Sequence, residues 1–260
     1  MATETVKLFA AVSAKKLELL NDSISRYFVL SMLAGIYVGF GIILIFSIGG
    51  PLSGIGDVGL KALMGASFGV ALILVIFAGS ELFTGNNMVM TIGSLSGKVS
   101  WFNTGKLWVI CYLGNLVGAL LFAYLISQSG VLCSGVGQAF ITKVSITKGS
   151  DPFMQLFIKG ILCNMLVCLA VWTSARTKED TAKILLIFWC LFAFIGSGFE
   201  HSIANMTVIG VGVFVSPETV TWGHFWHNMI PVTLGNMLGG AVFVGAAYWF
   251  VANKKLKDTE

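Results

Sequence analysis

Charged residues are scarce in this chain. They make up 11% of its 260 residues, whereas a soluble domain carries roughly 25%. Against a hydrophobic share of 56% and a mean hydropathy of +0.88, that scarcity excludes a water-soluble fold and identifies an integral membrane protein. The alternation of lipid-facing and lumen-facing residues that marks a membrane β-barrel is also missing, so the spans are helical. There is no glycine-rich phosphate loop of the Walker type and no serine or cysteine in a nucleophile motif, which leaves an ATP-driven pump and a membrane hydrolase without support. The paired Asn-Pro-Ala segments of neutral-solute channels are absent as well.

Other absences narrow the reading further. The five cysteines, Cys111, Cys133, Cys163, Cys168 and Cys190, are odd in number and lack CxxC spacing, so packing is their expected role. His224 and His227 stand three apart with no third ligand nearby, and neither a metal nor a cofactor is expected. The first thirty residues contain Glu4, Glu18 and Asp22 and no small-residue cleavage site after an apolar core; the mature chain is expected to start at Met1. The net charge of +4 lies in short segments beside apolar runs, which points to membrane orientation and away from nucleic acid.

What is present is a single transmembrane domain over residues 1–260. Residues 4–24 place Val6, Phe9, Val12, Leu17, Leu20 and Ile24 on one stripe, so residues 1–26 read as a cytoplasmic amphipathic segment, at the membrane interface or packed under the bundle. Six spans follow, at 27–49, 60–92, 104–128, 153–175, 182–214 and 225–252, and residues 253–260 form a cytoplasmic tail. Twelve Lys and Arg residues fall in the N-terminal segment, the alternate loops and the tail, against four (Lys61, Lys143, Lys148 and Lys159) on the other side; both termini are therefore expected in the cytoplasm. Trp222, Trp226 and Tyr248 are placed as interfacial anchors would be.

Polar residues interrupt two of the spans. Glu81-Leu82-Phe83-Thr84-Gly85-Asn86-Asn87 breaks the second, and Glu200 to Asn205 breaks the fifth, because Asn, Thr and Gly offer the backbone alternatives to the helix. Leu113-Gly114-Asn115-Leu116-Val117-Gly118 recurs as Leu234-Gly235-Asn236-Met237-Leu238-Gly239 at an offset of 121, and Asn87-Met88 recurs as Asn205-Met206 at 118. Two halves of three spans each follow (27–128 and 153–252), and three being odd, they are inverted. Paired interrupted helices in inverted halves point to a central binding site. The small-residue pairs Gly35/Gly39, Gly65/Gly69, Gly114/Gly118 and Gly235/Gly239 fit close helix packing within one protomer.

Backbone freed by a break must be buried in protein or line a water-accessible cavity. The N–H groups and half-helix N-termini there favour an anion. His201 can donate, accept, gain or lose a proton near neutral pH, and Thr84 could orient its ring or touch the guest. Glu81 and Glu200 are expected to face the protein and accept hydrogen bonds from the backbone N–H groups of their own loops. Asn87, Asn164 and Asn205 read as staples, and Lys16 and Lys148 as charges that could draw anions to the two mouths.

The segments Glu81–Met88, Phe199–Met206 and Gly160–Cys168 resemble, in order, motifs of the formate/nitrite transporter family. The resemblance implies a homopentamer of aquaporin-like protomers in a bacterial inner membrane, each with a pore for small monovalent anions, hydrosulfide foremost and formate and nitrite next. It also implies that His201 is the central pore residue with Thr84 as partner, that Phe68, Leu72, Leu82, Val167 and Phe194 line two apolar constrictions with Asn164 nearby, and that Lys16 and Lys148 stand at the mouths. An apolar constriction passes a conjugate acid more readily than a bare anion, so His201 could lend the proton. The competing readings are a formate or nitrite channel in the main, a neutral-solute channel, and a thiol-handling enzyme using Cys163 or Cys168.

Overall fold

A computed structural model describes residues 2–53 and 59–257, with side chains as far as Ala252; residues 258–260 of the tail lie outside the described residues. Every regular element among them is helical. In chain order they are α1 (Ala2–Asp22), α2 (Ile24–Leu52), α3 (Leu60–Ser67), α4 (Val70–Phe77), α5 (Phe83–Leu95), α6 (Trp101–Ser129), α7 (Gly135–Lys148), α8 (Phe153–Ser174), α9 (Asp180–Gly196), α10 (Ser202–Val215) and α11 (Trp222–Leu238). A π-helical stretch, Gly239–Ala246, and α12 (Ala247–Lys257) complete the chain. Among the described residues, five helical segments are long and apolar enough to cross a membrane, and α10 is a shorter apolar helix.

Both expected breaks are present, displaced towards the N-terminus. α4 ends at Phe77 and α5 resumes at Phe83; α9 ends at Gly196 and α10 resumes at Ser202. Thr84 and Asn86, read above as turn formers, are therefore in the first turn of α5 with Asn87 just beyond it, and Asn205 is in the first turn of α10. A first turn has backbone N–H groups without helical acceptors, and polar side chains are tolerated there. α7 lies in a stretch read above as a loop, and Phe68-Gly69 adds a short break between α3 and α4.

α1 is packed against the bundle. Val6, Phe9, Ala10 and Leu20 are buried, Phe9 stacks on Trp172 at 5.7 Å, and Trp172 stacks on Tyr248 at 4.1 Å. Tyr248 is thereby partly buried in the protein and does not stand out as an interfacial anchor, whereas Trp222 and Trp226 are exposed. Contact between α2 and α6 depends on small residues: a Cβ at Gly118 would overlap the Met32 carbonyl oxygen. At the contact of α8 with α11, one at Gly235 would overlap that of Phe157. These glycines let backbones touch. The π-helical stretch does the same for α5, since a Cβ at Gly240 would lie 3.0 Å from that of Asn87.

Gly118→Val forces α2 from α6 and is expected to cost about 1–3 kcal/mol of stability, as overpacking does. Gly105→Ala, where an added Cβ meets nothing within 4 Å, serves as the control. Thermal unfolding of the detergent-solubilised protein should show an early transition for the first variant and a wild-type one for the second.

Candidate functional site

The two breaks are built alike, residue for residue, at an offset of 119. Gly79 (φ 76°) and Gly198 (φ 71°) end α4 and α9 in the left-handed conformation that a glycine adopts without steric cost. The next N–H groups turn back into the helix just ended, Ser80 to the Val75 carbonyl and Phe199 to the Phe194 carbonyl, each at 3.0 Å. Glu81 N–H then donates to Leu30 O at 3.2 Å, and Glu200 N–H to Lys159 O at 3.3 Å. Leu82 and His201 follow in extended conformation as the N-caps of α5 and α10.

Two asparagines close the breaks. Asn115 Oδ1 accepts from Phe83 N–H at 2.9 Å while its Nδ2 donates to the carbonyls of Glu81 (2.9 Å) and Ser31 (2.7 Å). Asn236 repeats this with Ser202 N–H (2.8 Å), Glu200 O (3.0 Å) and Gly160 O (2.7 Å). The expectation that Glu81 and Glu200 accept from the backbone N–H groups of their own loops is thus corrected. A break exposes donors and acceptors together, and a carboxamide answers both where an ionised carboxylate can only accept.

The two carboxylates take side-chain donors instead. Glu81 accepts from Lys16 Nζ (2.6 Å), Tyr27 OH (2.9 Å) and Asn86 Nδ2 (2.9 Å). Glu200 accepts from Lys148 Nζ on both oxygens (2.8 and 2.9 Å) and from Asn205 Nδ2. Asn228 holds the second cluster, accepting from Asn205 at 2.9 Å and donating to the Lys148 carbonyl at 2.9 Å. Asn86 therefore corresponds to Asn205, one position earlier than the Asn-Met repeat suggests. Asn87 instead uses Oδ1 to accept from Asn164 at 3.2 Å, and Asn164 Nδ2 also reaches the Thr84 and Asn236 carbonyls (3.1 and 2.6 Å). Asn164 lines none of the cavities described below; its donors are occupied within the protein, and its place is that of a staple.

The caps are where the breaks differ. Leu82 has no polar side chain, whereas His201 Nδ1 accepts from Ala204 N–H at 3.1 Å and caps α10. With that lone pair occupied, a neutral ring carries its hydrogen on Nε2, which lies 3.0 Å from Thr84 Oγ1. The Phe194 ring lies nearly parallel to the imidazole, with centroids 6.0 Å apart.

Three cavities are strung along α2, and their order follows from its residues. Leu30 lines a cavity of about 410 Å³ beside α1, Val38 a central chamber of about 10 Å³, and Ile42, Ile45 and Phe46 a far cavity of about 270 Å³. At 1.5 Å per helical residue, these lining residues of α2 are spaced along its axis by about 12 Å on the near side and about 9 Å on the far side. Phe68, Leu72, Leu82, Val167 and Phe194 all line the central chamber, together with His201. Leu72 and Leu82 also line the near cavity, and Phe194 and His201 the far one. Val38, Ala71 and Leu191 complete the chamber; as apolar residues in apolar runs they carry no sequence signal. Lys16 lines the near cavity and Lys148 the far one, each with its charge paired to a glutamate. Asn115 and Asn236 were visible as a repeated segment, but repetition alone did not show what they hold.

Comparison with known proteins bears on the fold and the family. Residues 3–250 match the profile of a family described as formate/nitrite transporter. The nitrite transporter NirC of Escherichia coli strain K12 is 46% identical over 266 residues, which cover 99% of this chain and 96% of that one. A solved FNT family ion channel superimposes with a TM-score of 0.91 at 44% identity, covering 96% of this chain and 99% of its own. A pentameric formate channel with formate bound superimposes with a TM-score of 0.77 at 30% identity, covering 87% and 96%.

Removing Lys148 alone leaves the buried Glu200 carboxylate uncompensated, at a cost of about 3–5 kcal/mol. Lys148→Met is therefore expected to lower the unfolding temperature markedly, and Lys148→Met with Glu200→Gln to recover much of the loss. A double-mutant cycle on thermal unfolding measures the difference; independent, additive effects would contradict the pairing.

Proposed function

Because the chain belongs to the formate/nitrite transporter family, we propose that it conducts small monovalent anions of weak acids down their gradients, with His201 as the residue that handles the anion. The observation that carries this reading is the position of His201. Its ring lines a chamber whose other lining side chains are all apolar, and its Nε2 is held at 3.0 Å by Thr84 Oγ1 beside that chamber. The resemblance to channels, together with the missing nucleophile and phosphate loop, supports passive conduction. Six crossings in two inverted halves, with α5 and α10 as facing half-helices, accord with the matched breaks. The excess of Lys and Arg on the side of the termini supports a cytoplasmic location for both. Similarity to a bacterial nitrite transporter supports an inner-membrane location, and similarity to a pentameric channel supports a homopentamer with one path per protomer.

An anion leaving either outer cavity meets the N-terminal ends of α5 and α10, which carry partial positive charge. In the central chamber it loses water: about 10 Å³ holds one water molecule at most. Nε2–H of His201 then donates to the anion in place of Thr84. Giving that proton up would leave an imidazolate unless a proton from solution reached Nδ1, which accepts from Ala204 N–H; hydrogen bonding is the step this geometry supplies, and proton lending needs that cap to open. The small chamber discriminates least against hydrosulfide, with a single heavy atom, while the 46% identity to a nitrite transporter supports nitrite. Formate is of similar size to nitrite.

Proteoliposomes loaded at two pH values test the reading with all three anions. His201→Phe removes the donor and is expected to lower flux about 10- to 100-fold, the equivalent of a hydrogen bond to a charged group. His201→Asn keeps a capping side chain and a donor and should retain more flux. Reversal potentials distinguish anion current from neutral-acid transit, and wild-type flux of water without any anion would favour a neutral-solute channel.

A further inference from the structure

Two lysines line the far cavity, and only one of them is neutralised. Lys148 is closed on both oxygens of Glu200 at 2.8 and 2.9 Å. Lys61, in the first turn of α3, is exposed and has no carboxylate partner among the described residues. The near cavity differs: Lys16 and Glu81, paired at 2.6 Å, are the charged residues that line it. Among the described residues, one mouth therefore carries a net positive charge and the other is balanced.

We propose that Lys61 is the anion-gathering residue of the far cavity, so that the two faces of the channel saturate at different anion concentrations. The assignment rests on the conduction reading above and adds to it a residue and a sidedness. The rest of the cavity wall is largely apolar, including Leu60, Met64, Phe140 and Val144, and low-dielectric walls focus the field of a charge into the space they enclose. An anion held there lies in a deeper well than one in the near cavity. Such a well cannot alter the equilibrium across the membrane; it sets the concentration at which its own face saturates. Salt weakens it, because the Debye length is about 10 Å at 0.1 M ionic strength.

The test uses full-length protein reconstituted in one orientation, checked by protease access to a terminal tag, with formate and nitrite as probes. Wild type should show a lower half-saturation concentration at the face opposite the termini, rising as an impermeant salt is added. Lys61→Gln should raise that value about threefold at low salt, remove most of its salt dependence, and leave the face of the termini unchanged. Lys61→Arg should behave as wild type, and unfolding temperatures should match throughout, since the side chain is exposed. Equal half-saturation at both faces, or the same salt dependence in Lys61→Gln as in wild type, overturns the assignment while conduction stands. A wild type that carries neither anion overturns the conduction reading itself.

Discussion

Broken backbone in a membrane interior must be satisfied by the protein, since lipid offers it nothing. That constraint shapes the centre of this molecule. Each break leaves N–H and C=O groups side by side, and one buried carboxamide, Asn115 or Asn236, binds both kinds while tying the break to a neighbouring helix. The glycines of the same repeated segments bring the helices close enough for these short side chains to reach. Close packing and polar stapling are thus one device: helices held further apart would leave the carboxamides short of their partners.

The charged clusters extend this device outward. Glu81 and Glu200 are buried, and an isolated carboxylate at such depth would be costly. Each receives a carboxamide from the residue five positions on and an ammonium from an element far off in sequence, and the ammonium ties α1 to the first break and the end of α7 to the second. It also resolves how acids can stand beside an anion path: their charge is compensated where they sit. Residues of the first turns of α5 and α10 line the outer cavities, Gly85 and Asn86 the near one and Ala204 and Asn205 the far one.

Much of this was legible in the sequence. Broken helices, their pairing, and the singular position of His201 follow from polar residues in apolar runs, because membrane burial makes such residues conspicuous. Three things were hidden. The break positions were misplaced, because Asn and Thr were read as turn formers, whereas in a first helical turn they are tolerated. The register of the repeat was off by one, because Asn86 and Asn87 are chemically identical and only geometry shows which faces Glu81. The acceptors for the loop N–H groups were assigned to the nearest acids in sequence, while the actual partners lie 32 and 34 residues away, at Asn115 and Asn236.

The difference between two otherwise matched caps is what remains for function. Leu82 and His201 occupy equivalent positions, and both line the central chamber. On the proposed reading, matched breaks alone would place two apolar caps there and leave a dehydrated anion without a side-chain donor at either. Replacing one of the two with an imidazole supplies a donor and still caps α10, because Nδ1 serves the helix while Nε2 faces Thr84. An asparagine or serine could cap equally well, but neither has a second ring nitrogen able to carry a proton away from the cap. The helix fixes one nitrogen, and that fixation aims the other; the local folding requirement and the chemistry of the chamber are met by a single side chain.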